Sequence, residues 1–235
     1  MTTPNTPFVS SATIPPFSPE TAELLGVDDH LPSIPRERLH GMALKSYFAD
    51  PPKWTMPIQE ATEDQRIPAP ASVLLGIVMR AEPMVLLTQR SANLSNHSGQ
   101  IALPGGRHDA QDADEIATAL REAQEEVDLH EQHVHVLGCL PVYVTGTGFK
   151  VTPVVALIDP AMQLQANPQE VAEVFEVPLL HVMNPANHRR HAMEWQGLRR
   201  EWLSIPYQDE QTTRMIWGVT AGILRNFYEF LQAKP

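Results

Sequence analysis

Five apolar residues, Ile116, Ala119, Leu120, Ala123 and Val127, recur at spacings of three, four and seven within RHDAQDADEIATALREAQEEVDLHE, residues 107–131. That is the helix period, so the five share one side of a helix and must be buried against another element. Asp112 reads as the N-cap, and Glu115 three residues later completes a capping-box-like pair. Glu122, Glu125 and Glu126 stand at i, i+3 and i+4, which gathers them on a different side. The stretch holds nine acidic and two basic residues in a chain of net charge −11, so most of the excess negative charge is concentrated here.

The ordinary reading of such a run is a solvated acidic face. Two costs argue for more. Like charges one turn apart each cost about 0.2–0.5 kcal/mol in a helix. They also crowd the C-terminal end, where the helix dipole disfavours anions. No lysine is interleaved to relieve them. A divalent cation would turn the repulsion into binding, and hard carboxylate oxygens suit Mg²⁺ or Mn²⁺. Just upstream, the LPGG sequence supplies Gly105 and Gly106, where the chain can turn and a backbone carbonyl can approach a metal.

The rest of the chain frames this helix. Its 235 residues are 43% hydrophobic, enough for one domain with an extension. Residues 1–67 read as that N-terminal extension. Its first 17 residues are uncharged, rich in Pro, Ser and Thr, and expected to be disordered. SPETAELLG then reads as a short helix, with Ser18 as N-cap and Gly26 as stop, and IPRERLHGMALKSYF as another. DPPKWTMPIQ holds too many prolines for a helix interior. Residues 68–235 form the main domain. SVLLGIVMR and MVLLTQR read as paired strands, and SGQIALPGG as a short extended piece ending in a turn. VHVLGCLPVYV and FKVTPVVALI read as strands around the TGTG turn. PQEVAEVFEVP reads as a short helix or a helix-to-strand segment, LRREWLSIPY as a strand, and TTRMIWGVTAGILRNFYEFLQ as a final helix. The mixed order predicts an α/β fold, a small mixed sheet between helices.

Cys139 is the only cysteine, so no disulfide forms within the chain, which favours a reducing compartment. The N-terminus lacks the pattern of a secretory signal, and no apolar run approaches the length of a membrane helix. A cytoplasmic protein is expected, with no membrane partner. The acidic balance argues against nucleic acid as a partner. A phosphorylated ligand stays compatible with it, provided cations neutralise the site. Three roles stay open for residues 1–67: a cover over the active site, a homodimer interface, or a free tail.

Gly106, five residues, Asp112, then REAQEEVDL resembles the Nudix box, in which a glycine and an acid precede Arg-Glu-apolar-x-Glu-Glu-x-Gly-apolar. REAQEE matches at every defined position. Asp112 stands where the box has glutamate, eight residues rather than seven separate it from Arg121, and Asp128 stands where the closing glycine is usual. The resemblance implies a Nudix fold, an α/β/α sandwich around a mixed β-sheet. It implies that Glu122, Glu125 and Glu126 are metal ligands, that Gly106 offers its carbonyl, and that Arg121 orients a glutamate. Glu122 is the first candidate for the base that takes the proton of an attacking water. Glu170 and Glu173 are the alternatives, since some members take the base from a later loop.

Upstream, LLTQRSANLSNHSGQIALPGG is similar to the signature of the coenzyme A pyrophosphatase branch. Leu86, Leu87, Thr88, Arg90, Ser91, Gly99, Pro104, Gly105 and Gly106 match. Ser95 replaces an arginine of that signature and Leu103 a phenylalanine. The likeness extends over about residues 68–230 and implies hydrolysis of coenzyme A or an acyl derivative. Adenosine 3′,5′-bisphosphate and a 4′-phosphopantetheine derivative would be the products. Arg90, His97 and Arg107 are the candidate substrate contacts. The alternatives are ADP-ribose or another nucleoside diphosphate derivative as substrate, or a ligand-sensing domain without turnover.

Overall fold

The structure is a computed structural model that describes residues 22–58, 67–92, 99–195, 198–209 and 212–233. In chain order its first elements are β1 (Glu23–Val27), α1 (Gly41–Ala49), β2 (Ala69–Val78), β3 (Met84–Arg90), β4 (Ile101–Ala102), β5 (Gly105–Arg107) and α2 (Glu115–Val127). There follow β6 (Val134–Cys139), β7 (Tyr143–Val144), β8 (Phe149–Ile158), β9 (Val171–Pro178) and the single turn α3 (Leu179–Val182). The chain closes with β10 (Arg189–Trp195), β11 (Leu198–Gln208), β12 (Thr213–Trp217) and α4 (Gly218–Gln232).

Eight strands form a mixed sheet in the order β4-β3-β2-β8-β6, with β5 also on β2, β7 on β8 and β9 on β3. β2 and β8 run parallel through ten residue pairs, from Ala69 opposite Phe149 to Val78 opposite Ile158. Both strands are nearly continuous apolar runs, as strands buried on both faces must be. Their side chains alternate between two cores. Leu74 and Val78 join Val154, Ala156 and Ile158 beneath α2, against Ala119, Ala123 and Val127. Leu75 and Ile77 join Val155 and Leu157 on the other face, with Leu44 of α1 and Ile223, Leu224 and Phe227 of α4. Helices therefore flank the mixed sheet on both sides, the α/β/α arrangement expected of a Nudix fold. A second, antiparallel sheet runs β1-β10-β11-β12. It adds Leu203, Ile205 and Ile216 to the α4 side.

Four local expectations are corrected. Glu23–Val27 is not helical but pairs with β10, from Glu23 opposite Ala192 to Val27 opposite Arg189. The residues before Ala22 in that expected helix lie outside the described residues. Of the two readings of PQEVAEVFEVP, the helical part is absent and Val171–Pro178 is strand throughout, because β3 offers it a partner from Met84 to Arg90. In both places a tertiary pairing overrides a weak local preference. The expected final helix starts late: Thr213–Trp217 forms β12 against β11, and Gly218 at φ 62° breaks the strand into α4. The Pro-Gly-Gly turn is instead a short strand, β5, whose Gly105 and Gly106 face Val73 and Ser72. β10, which begins at the first arginine of the basic HRRH sequence, is not among the expected strands.

Residues 22–58 are fastened to the C-terminal helix as well as to β10. The Tyr47 hydroxyl donates to Leu231 O (3.1 Å). The buried Asp28 accepts from Arg190 Nε (2.7 Å) and Arg225 Nε (3.3 Å). No helix among the described residues is long and apolar enough to cross a membrane.

Candidate active site

The acidic helix forms with its apolar side buried as its spacing predicts, but its cap is two residues later than expected. Asp114, not Asp112, is the N-cap, and its Oδ1 accepts from Ala117 N (2.8 Å). Asp112 is left free for another task. Its carboxylate accepts from Arg121 Nε (2.9 Å) and Nη2 (3.0 Å), from Asp109 N (2.8 Å) and from the Thr118 hydroxyl (2.9 Å). The Arg121 bonds and the Asp109 N–H hold this carboxyl far below the usual carboxylate range. At the other end Asp128 adopts φ 56°, the left-handed C-cap conformation that a glycine takes easily.

Arg121 is the hub of the site. Besides Asp112 it reaches Glu122 Oε1 (3.0 Å) and Glu125 Oε2 (3.1 Å) through Nη1, and the carbonyl of Arg107 through Nη2 (3.0 Å). One planar guanidinium thus ties the loop before the helix to two of its glutamates, a geometry lysine could not reproduce. Its own pKa is raised, chiefly by the bonds to Asp112. Nothing in the spacing of Asp112 and Arg121 announces this anchor.

The three glutamates are graded in exposure. Glu125 is exposed at 54% of its side chain, Glu122 is at 15% and Glu126 at 4%. Glu126 Oε2 accepts from Gly105 N (3.2 Å), and Oε1 lies 3.6 Å from Arg90 Nη1. Burial pushes the Glu126 carboxyl up to about 7, against the pull of the Gly105 N–H and Arg90, with Glu122 and Glu170 adding to the rise. Burial also raises Glu122, against Arg121 and with help from Glu125 and Glu170. Gly106 leaves room for the Glu122 carboxylate, which a Cβ there would meet at 2.5 Å.

Of the two alternative bases, Glu170 enters this field and Glu173 does not. The segment before β9 is sewn to the end of α2 by Gln165 N to Val127 O (3.0 Å) and Asn167 N to Glu126 O (2.9 Å). It is joined to the other side by Ser91 N to Glu170 O (2.8 Å). Glu173 instead pairs bidentately with Arg214 (2.7 and 2.8 Å), which lowers its pKa and leaves it unsuited to take up a proton. Arg107 is exposed, with its guanidinium 5.1 Å from the centre of the Phe149 ring. Ser95 and His97 lie outside the described residues.

Among the described residues no three acids, histidines or cysteines form a ready-made metal cage. Arg121 draws Glu122 and Glu125 together, while Gly105 and Arg90 attend Glu126. The donor set nevertheless fits a hard divalent cation. Mg²⁺ needs only one or two carboxylates beside waters and substrate phosphates. Two carboxyls whose proton affinity is raised first by burial and then by neighbouring negative charge are groups that such a cation would relieve.

A carboxylate-bearing helix packed beside the glycine strand β5, on a mixed sheet flanked by helices, is the arrangement expected of a Nudix hydrolase. The NUDIX domain family matches residues 70–201. A Citrobacter koseri protein named "uncharacterized Nudix hydrolase NudL" is 45% identical over 166 residues, 70% of this chain and 84% of its own length. Its namesake from Escherichia coli strain K12 is 43% identical over the same shares. Among solved structures, the Nudix hydrolase RenU of M. smegmatis is 27% identical at a TM-score of 0.43, covering 50% of this chain and 75% of its own. The binary complex of the C. elegans Ap4A hydrolase is 20% identical at 0.42, covering 49% and 85%. The chain belongs to the Nudix hydrolase family, whose members act on nucleoside diphosphate derivatives and generally use divalent metal ions.

Proposed function

We propose that this chain hydrolyses the diphosphate linkage of coenzyme A or an acyl-coenzyme A, with Mg²⁺ or Mn²⁺ held by Glu122, Glu125, Glu126 and the Gly106 carbonyl. The observation that carries it is Arg90. This arginine of the coenzyme A signature stands 3.6 Å from Glu126 of the Nudix helix, so the two motifs meet at one place. The cation, when bound, supplies positive charge that neutralises the diphosphate and acidifies water. Glu122, largely withdrawn from water and raised in pKa, is the first candidate to take the proton of the attacking water; Glu170 is the second. The attack is in line on one phosphorus, and the other phosphate leaves. Arg121 keeps Glu122 aimed while Asp112 keeps Arg121 aimed. Arg90 and Arg107 supply the cationic contacts, with His97 as a further candidate.

One observation favours a second substrate. Ser95 cannot provide the charge of the arginine it replaces, and that charge would suit the 3′-phosphate of coenzyme A. ADP-ribose or another nucleoside diphosphate derivative lacking that phosphate is the alternative. The test is a panel of coenzyme A, 3′-dephospho-coenzyme A and ADP-ribose incubated with Mg²⁺ or Mn²⁺, with products separated by mass. Adenosine 3′,5′-bisphosphate from coenzyme A supports the first reading. Cleavage of ADP-ribose with coenzyme A left intact supports the second. Binding with no product from any of them would indicate a sensor.

A further inference from the structure

Arg90 is firmly held by its backbone and loosely engaged by its side chain. Its N–H donates to Gln100 O (2.9 Å) and its carbonyl accepts from Gly99 N (3.2 Å). The β3–β9 register shifts between Gln89 and Arg90, and such a bulge re-aims the side chain it carries. That side chain ends 3.6 Å from Glu126, too far for a hydrogen bond, and its buried Nε has no hydrogen-bond partner among the described residues. A guanidinium whose Nε donor is unused therefore faces the most buried carboxylate of α2.

We infer that Arg90 is a resident counter-cation for Glu126, displaced when a divalent cation binds and then turned to a diphosphate oxygen of the substrate. The inference rests on the proposed function, in which Glu126 is a metal ligand. Arg90 and the metal neutralise the same carboxylate, so they compete for it and repel each other at close range. Once the metal holds Glu126, the released guanidinium needs an anion, and its planar fork suits a phosphate. Metal and substrate are thereby coupled through one side chain, and each must tighten the other's binding by the same factor.

The test uses the full chain at pH 8. Mn²⁺ binding is counted by electron paramagnetic resonance of the free ion, and ADP binding is measured by calorimetry in saturating Mn²⁺. Arg90→Gln and Arg90→Met should each bind Mn²⁺ at least ~5-fold more tightly than the parent when no nucleotide is present. The same variants should bind ADP at least ~10-fold more weakly. Arg90→Lys, which keeps the charge, should keep the parental Mn²⁺ affinity to within about twofold. A merely structural role would weaken both affinities together. Equal or weaker Mn²⁺ binding by the folded neutral variants, or unchanged ADP binding, overturns the inference while leaving the metal site standing. A parent that binds no Mn²⁺ overturns the proposed function and this inference with it.

Discussion

The Glu122 carboxylate occupies the space a side chain on Gly106 would need: a Cβ there would lie 2.5 Å from the carboxyl carbon and from both oxygens. The neighbouring Gly105 is crowded differently, since its Cβ would press on the Ser72 carbonyl and come within 2.6 Å of the Val73 Cα. One glycine is thus required by a movable side chain and the other by backbone. Gly106→Ala should fold with little loss of stability but displace Glu122, lowering kcat at least ~10-fold. Gly105→Ala should instead destabilise the protein by about 1–3 kcal/mol. Thermal melts beside kcat for the two variants check this. A stable, active Gly105→Ala would show that β5 yields more easily than the packing implies.

Asp128 provides the second prediction. It is the sole non-glycine residue with positive φ among the described residues, and it closes α2 where the Nudix box usually has glycine. An L side chain in that region costs about 1–2 kcal/mol, less for Asp, whose short polar side chain tolerates it. Asp128→Gly should leave the protein at least as stable, and Asp128→Val should lose about 1–2 kcal/mol. Chemical denaturation of the three proteins measures it. Equal stability of the Val variant would mean that the C-cap relaxes.

Glu126 gives a pH signature in the cation-free protein. Its carboxyl titrates near 7 when folded against an ordinary value of 4.5. Between those values the folded chain holds a proton that the unfolded chain has released, so stability falls as pH rises through the window. His188 acts in the opposite sense. Burial first of all holds its imidazole down to about 4, so its share of stability is lost as pH falls below 6.5. Comparing the parent with Glu126→Gln cancels His188. In chelator, the variant should gain on the parent by on the order of 2 kcal/mol between pH 5 and pH 8. A difference that stays flat across that range would mean the Glu126 carboxyl titrates normally.

Substrate choice gives a fourth prediction, drawn from Ser95. If an arginine there would hold the 3′-phosphate, the parent should discriminate weakly between coenzyme A and its 3′-dephospho form. Ser95→Arg should favour the phosphorylated substrate about 10- to 150-fold in relative kcat/KM, as a charge-assisted contact would. A parent that already prefers coenzyme A strongly would transfer that role to another cation, with Arg90 and Arg107 next to be replaced.

The α2 side of the fold was legible because burial there writes a period into the sequence. Ile116, Ala119, Ala123 and Val127 all meet the sheet, and the apolar runs of β2, β3 and β8 are strands. PQEVAEVFEVP leaves helix and helix-to-strand open, because Val171, Val174 and Phe175 also fit a helical spacing; the pairing of β9 with β3 decides the matter, and that is a long-range fact. The same holds for the site. Acid type and spacing predict that Glu122, Glu125 and Glu126 share one side of α2, and the side they occupy faces Arg121, Gly105 and Arg90. The approach of Glu170 depends on Asn167 N meeting Glu126 O and Ser91 N meeting Glu170 O, backbone bonds that no side chain announces. Asp112 reads as a cap because Asp just before a helix is common, while its partner Arg121 lies nine residues further on.

Turnover of coenzyme A in metal-buffered solution tests the α2 carboxylates most directly. With saturating Mg²⁺, the parent should release adenosine 3′,5′-bisphosphate and 4′-phosphopantetheine, stop in excess chelator and resume when Mg²⁺ is restored. Glu126→Gln, under the same Mg²⁺ and melting as a folded protein, should be at least ~100-fold slower. Full turnover in excess chelator, or parental turnover by the folded Glu126→Gln variant, would contradict a catalytic metal site on this helix.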